Sequence, residues 1–136
     1  MANGVGFDLA AVRQLMARSE AELDSAAASR DAAMQFLHAH MAAIRTAAAV
    51  LAMSPVRPRR RRMLSAWDQL AELGPQWQPW AQRFAAGARL RSAIEAGRSD
   101  VDETVAAAAL MLSQEFHDLV NEVASAARSS DIALAS

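Results

Sequence analysis

Five of the six residues at positions 57–62 are arginine, and this run is the strongest chemical signal in the chain. Its members are Arg57, Arg59, Arg60, Arg61 and Arg62. Adjacent guanidinium groups repel one another, which favours a solvent-exposed connector between helices over a place in a core. The planar guanidinium fork also matches the oxygens of a phosphate group. Two interpretations therefore stay open: a solvated linker, or a surface that binds an anion such as nucleic acid.

Three tryptophans, Trp67, Trp77 and Trp80, flank this basic middle of the chain. Arginines beside exposed aromatic rings can hold single-stranded nucleic acid by charge and base stacking. For Trp67 and Trp80, packing of a short helix onto the protein is the favoured explanation. Trp77 lies off the main apolar stripe and is predicted to be partly exposed. We therefore place Trp77 with the five arginines in a predicted nucleic-acid-binding site.

The three histidines give little support for a metal site or a catalytic site. His38 and His40 lie about 200° apart around a helix, so they cannot bind one ion together. His40 faces the apolar stripe and is predicted to be a core or interface histidine with its hydrogen bonds satisfied. His38 lies on a polar strip, and His117 is predicted to lie on a solvated face. The chain has no cysteine and no catalytic triad, so we predict no metal, no cofactor and no catalytic residue.

The composition predicts one soluble domain, because 136 residues that are 53% hydrophobic can bury a sizeable core. Charge is unevenly spread: residues 57–98 carry nine arginines and three acids, whereas residues 99–136 carry one arginine and seven acids. Pairing between these two segments would leave little positive charge for nucleic acid. No stretch free of Asp, Glu and Arg has the roughly 20 residues that a bilayer requires. We therefore predict a cytoplasmic location and no contact with a membrane.

Apolar residues at helical spacing predict five helices, over about 8–28, 30–53, 66–73, 76–96 (or 78–96) and 100–128. Ser29 is expected to cap the second helix, Ser65 the third, and Ser99 or Asp100 the fifth. No segment shows the alternation of a strand. The predicted fold is all-α, an antiparallel four- to five-helix bundle with a short helix after an arginine-rich connector. The predicted domain is 8–128, with disordered tails at 1–7 and 129–136.

Four short segments occur in an order that resembles a known superfamily. They are HAHMAAIRTAA at 38–48, Ser65-Ala66-Trp67, WAQRFAAGA at 80–88 and AIEAG at 93–97. In this order, with the arginine-proline connector after the first, they resemble a small actinobacterial branch of the HEPN superfamily (higher eukaryotes and prokaryotes nucleotide-binding domains). The resemblance covers roughly residues 8–128. It implies a bundle of four or five helices that can form a homodimer.

The resemblance also implies a class of activity. Many HEPN domains are metal-independent RNases, often toxins, that depend on an arginine followed after four to six residues by a histidine. This chain departs from that pattern, since seven residues separate Arg30 from His38 and 18 separate Arg98 from His117. We therefore predict a catalytically silent module that contacts RNA or another nucleic acid through the connector.

Two alternatives stay open at this point. One is a true RNase whose displaced site forms across a dimer, from His38 or His117 with an arginine of the second subunit. The other is a protein–protein adaptor in which the arginine-rich connector binds an acidic partner.

Overall fold

The computed structural model describes residues 7–54 and 64–135, with side chains described as far as residue 129. These residues form α1 (Leu9–Ala28), α2 (Ala32–Met53), α3 (Ala66–Ala71), α4 (Gln78–Glu95) and α5 (Glu103–Ala135). No strand occurs within the described ranges. The prediction of an all-α bundle with a short helix after the connector is confirmed.

The helices α2 and α5 form the centre of the bundle, with α1 on one side and α3 and α4 on the other. Hydrogen bonds join Ser19 to Thr46 and Glu22 to His38, so α1 runs antiparallel to α2. The N-terminal half of α1 lines a groove together with residues 121–128, which belong to the C-terminal half of α5. The helices α1 and α5 are therefore also antiparallel. It follows that α2 and α5 run parallel to each other.

Two kinds of packing fill the interior. Between α3, α4 and α5, stacked aromatic rings form the core: ring centroids lie 5.0 Å apart for Trp67 and Phe84, and 5.1 Å apart for Trp80 and Phe116. Between α1, α2 and α5, small side chains such as Ala43 are fully buried, which lets the helices approach closely. Trp67 and Trp80 therefore pack the short helix and α4 onto the bundle, as predicted.

The second helix begins at a different cap from the predicted one. Asp31 is its N-cap, because the Asp31 carboxylate accepts a hydrogen bond from the Met34 N–H at 3.0 Å. Ser29 instead ends α1, and its hydroxyl donates to the carbonyl oxygen of Ser25. Both residue types cap helices well, but an aspartate adds a favourable interaction with the helix dipole.

We expect the replacement Asp31→Ala to lower the free energy of unfolding by about 1 kcal/mol, because it removes this cap. Ser29→Ala is the matched control and should change that free energy by no more than about 0.5 kcal/mol. Urea unfolding followed by circular dichroism measures both values. A larger loss for Ser29→Ala than for Asp31→Ala would contradict the assignment.

The fifth helix also differs from the prediction at both ends. Asp102 accepts a hydrogen bond from the Val105 N–H at 2.8 Å, so neither Ser99 nor Asp100 is the cap. The helix then continues past Arg128 to Ala135. Residues 129–135 contain no glycine or proline that would end it. The predicted end of this helix at about Arg128 is therefore wrong, and the domain bounds of 8–128 with disordered tails stay a prediction.

The sequence of α2 is apolar enough to need an explanation. By length and hydropathy alone, Ala32–Met53 could cross a membrane, although half of its most apolar stretch is buried inside the bundle. The prediction of no spanning helix relied on Arg45, which interrupts this stretch. Because α1 and α5 both pack against α2, a central place in the bundle accounts for the composition. The cytoplasmic location stays a prediction.

Candidate functional site

The arginine run lies outside the described residues. The chain is described up to Ser54, just after α2, and again from Leu64, just before α3. The exposure of Arg57, Arg59, Arg60, Arg61 and Arg62, and their contact with nucleic acid, therefore stay predictions.

Trp77 belongs to the same predicted site and is described. It lies immediately before α4 and is half-buried, with its ring edge-on to Phe116 at a centroid distance of 6.4 Å. The predicted partial exposure is confirmed. The ring contacts the aromatic core, and its role in binding nucleic acid stays a prediction.

The described part of the basic segment lies mainly on α4. Arg83 and Arg89 are exposed, and neither forms a salt bridge within the described residues. The Arg83 guanidinium carbon lies 5.7 Å from the centroid of the Trp80 ring. Arg91 pairs at 3.3 Å with Glu95, which lies four residues later on the same helix. The positive charge of Arg83 is therefore available to an anion.

A cavity of about 230 Å³ opens between α2, α4 and α5, directly beside Arg83. We call it the His40 pocket. Its lining is mostly apolar and includes Phe36, Phe84 and Leu112. The polar residues of the lining are His40, Arg83 and Ser113, one from each of the three helices. Sequence reasoning did not place these residues together.

His40 is the most unusual residue of the pocket. Its side chain is only 3% exposed, and its Nε2 atom has no hydrogen-bond partner among the described residues. The ring stacks on Phe36 and packs edge-on to Trp67. Burial, with a smaller effect of the nearby Arg91, lowers the pKa of His40 from 6.5 to about 4, and Glu95 opposes the change. The ring is therefore neutral at pH 7. Its predicted burial is confirmed, but the prediction that its hydrogen bonds are satisfied is wrong.

Gly87 makes room for this ring. A Cβ atom at position 87 would lie 3.1 Å from Nδ1 of His40, which is closer than most such contacts. At this glycine the backbone of α4 therefore comes close to a side chain of α2. The sequence signal was a glycine within an apolar helical stripe, although the pattern did not show that His40 faces it.

A comparison with known protein families identifies the family of this chain. The model of the SAV_6107-like HEPN family matches residues 26–121, which run from the end of α1 into the second half of α5. The chain belongs to this HEPN family. No curated protein and no solved structure gives a significant match to the chain.

A second polar cluster of this HEPN domain surrounds His117, which is 3% exposed. The Thr46 hydroxyl donates its hydrogen to the Ala42 carbonyl oxygen. Because that hydrogen is already used, the Ser19 hydroxyl, whose oxygen lies 2.8 Å from that of Thr46, must be the donor between the two. At the 2.9 Å contact the Nδ1–H of His117 then donates to Ser19. On the other side of the ring, Nε2 lies 3.2 Å from the Asn121 side-chain amide and accepts from it.

Both nitrogens of His117 are thus engaged, and its predicted place on a solvated face is wrong. It lies next to Phe116 on the face of α5 that the bundle covers, and α1 supplies its partner Ser19. The remaining histidine, His38, contacts Glu22 of α1 at 2.7 Å. Among the described residues of the HEPN domain, no group of three or more acids and histidines could hold a metal ion.

Proposed function

We propose that this HEPN domain is a binding module that holds RNA or another nucleic acid through Arg57 to Arg62 without cleaving it. The observation that carries the proposal is the segregation of charge. Nine arginines and three acids occur between residues 57 and 98. Phosphate contacts by arginine are the main source of affinity for nucleic acid.

The positions of the acidic residues support this proposal. Asp100, Asp102 and Glu103 lie around the start of α5. Because α2 and α5 run parallel, these acids lie beside the start of α2, whereas the connector follows the end of α2 at Ser54. A 22-residue helix is roughly 33 Å long, several times the screening length at physiological salt. These three acids are therefore far from Ser54, where the connector begins.

A further acid of α5 is directed toward the other side of the bundle. Glu115 lines a groove with Leu23 and Asp24 of α1, away from the side that α3 and α4 cover. It is therefore poorly placed to pair with a connector that leads into α3. Of the seven acids after residue 98, these four therefore lie away from the point where the connector begins.

The histidines support a module that is catalytically silent. General acid–base catalysis needs a ring nitrogen that can contact the substrate. Both nitrogens of His117 take part in buried hydrogen bonds, so His117 cannot meet this requirement as it stands. His38 contacts Glu22 through Nδ1 alone, which makes its Nε2 the atom that the His38→Ala test below examines. His40 is neutral and buried, and its surroundings are mostly apolar.

Replacing Arg59, Arg60, Arg61 and Arg62 together with Ser should remove most of the salt dependence of binding to single-stranded RNA. Each phosphate contact contributes a slope of about −0.7 to log K against log salt, so five arginines could give roughly −3. Fluorescence anisotropy at a series of salt concentrations measures the slope. The melting temperature should stay nearly unchanged.

A matched control removes the same charge from exposed arginines elsewhere, by changing Arg13, Arg18, Arg30 and Arg128 to Ser. This control should keep most of the slope. Equal losses in the two variants would contradict a site at the connector. No binding by the unaltered protein even at low salt would favour the adaptor for an acidic partner. Metal-free RNA cleavage that His38→Ala or His117→Ala abolishes in a folded protein would favour the dimeric RNase.

A further inference from the structure

We propose that the His40 pocket binds a small aromatic carboxylate, whose flat ring enters between α2, α4 and α5 and whose carboxylate pairs with Arg83. This site is separate from the arginine-rich connector and does not depend on the proposed binding of nucleic acid. It rests on three features of the described residues: the shape and lining of the cavity, the unpaired ring of His40 and the free charge of Arg83.

The lining of the cavity suits a flat apolar ring. Phe36 and Phe84 supply aromatic surfaces from two different helices, and Leu90 and Leu112 supply aliphatic ones. Aromatic rings pack favourably against such surfaces. A mostly apolar pocket with a few convergent polar groups is the usual form of a small-molecule site. The volume of about 230 Å³ accommodates a ring system of one or two fused rings.

The unpaired imidazole provides an independent sign of a ligand. Buried polar groups in folded proteins nearly always have a hydrogen-bond partner, because leaving one unpaired costs stability. His40 is 3% exposed and lines the cavity, yet its Nε2 atom has no partner among the described residues. A neutral imidazole has one donor and one acceptor. Nε2 is closed off from the cavity in this structure, so a ligand oxygen can pair with it only when the imidazole ring turns.

The charge of the ligand follows from Arg83. Arg83 is one of the residues that line the pocket, and its guanidinium carbon lies 5.7 Å from the centroid of the Trp80 ring. It forms no salt bridge within the part of the chain that the structure describes. Arginine binds carboxylates through two parallel hydrogen bonds, which favours a planar monoanion. A nucleotide fits less well, because the many polar atoms on the edge of a base would meet few partners besides His40 and Ser113.

The test uses 2-naphthoate and its neutral analogue 2-naphthamide, titrated into the purified full chain by calorimetry. The unaltered protein should bind 2-naphthoate about tenfold more tightly than 2-naphthamide, because only the former pairs with Arg83. Arg83→Gln should abolish this difference and leave the affinity for 2-naphthamide unchanged. Arg89→Gln, an exposed arginine of the same helix that does not line the pocket, should change neither affinity.

Two further measurements locate the ligand. Ala109→Leu places a larger side chain in the cavity and should abolish binding of both compounds while circular dichroism shows a folded protein. In the unaltered protein, 2-naphthoate should shift the imidazole NMR signals of His40 and leave those of His38 in place.

Equal affinities for the two compounds, or undisturbed His40 signals at saturation, would overturn the proposal. Tighter binding of adenosine monophosphate than of 2-naphthoate would also overturn it and assign the pocket to nucleotides.

Discussion

Between pH 7 and pH 4, the protein should lose about 3 kcal/mol of its free energy of unfolding through His40 alone. Burial lowers the pKa of His40 from 6.5 to about 4, with a smaller effect of Arg91 in the same direction. The unfolded chain therefore binds a proton at a higher pH than the folded protein does, and protonation favours unfolding. One pKa unit corresponds to about 1.36 kcal/mol, which gives the expected loss. The contribution of His40 is fully present above pH 6.5 and declines as the pH falls to about 4.

The variant His40→Leu isolates this effect from the titration of the carboxylates. At pH 7 it should change the free energy of unfolding by no more than about 1 kcal/mol, because lost ring stacking offsets removal of an unpaired polar group. At pH 4 it should be more stable than the unaltered protein. The control His38→Gln retains His40 and should keep this part of the pH dependence. Urea unfolding at a series of pH values measures the difference, and a difference that does not vary with pH would contradict the prediction.

The sequence predicted the helices well because helix formation depends on neighbouring residues. Apolar spacing located α1 to α4 to within two residues, and Ser65 caps α3 as predicted by accepting from the Asp68 N–H. The choice between two adjacent caps, such as Ser29 and Asp31, was not predictable in this way. Both residue types suit the position, and only the path of the backbone between α1 and α2 selects one.

The surroundings of each histidine depend on contacts between helices, which local patterns do not specify. His117 lies between Glu115 and Asp118 and looked solvent-exposed. Its neighbour Phe116 is nevertheless fully buried, and the adjoining face of α5 is covered by α1. The partner Ser19 is 98 residues away along the chain.

The His40 pocket shows the same limit at a functional site. Its polar residues His40, Arg83 and Ser113 come from three helices, and no spacing in the sequence connects them. Two of its features were visible beforehand: a histidine on an apolar stripe, and a glycine at position 87 within another such stripe. That these two stripes face each other is a property of the bundle, not of either helix.

The buried chain of hydrogen bonds around His117 should give strongly non-additive effects on stability. Ser19→Ala leaves the Nδ1–H of His117 buried without an acceptor, and we expect a loss of about 2 kcal/mol in the free energy of unfolding. His117→Leu removes the donor to Ser19 and the acceptor for Asn121, and a loss of similar size is expected. In the double variant no unpaired imidazole remains. Its loss should therefore be smaller than the sum of the two single losses by at least about 1 kcal/mol.

A matched control for this double-mutant cycle is Ser113→Ala, which removes a buried hydroxyl from α5 one helical turn before His117. Ser113 takes no part in the chain of hydrogen bonds from Asn121 to Ala42. Its replacement should therefore combine additively with Ser19→Ala, to within about 0.5 kcal/mol. Urea unfolding at pH 7 measures all of these variants under one condition. Additive losses for Ser19→Ala and His117→Leu would contradict the cooperative chain, because two groups that share a buried hydrogen bond cannot contribute independently to stability.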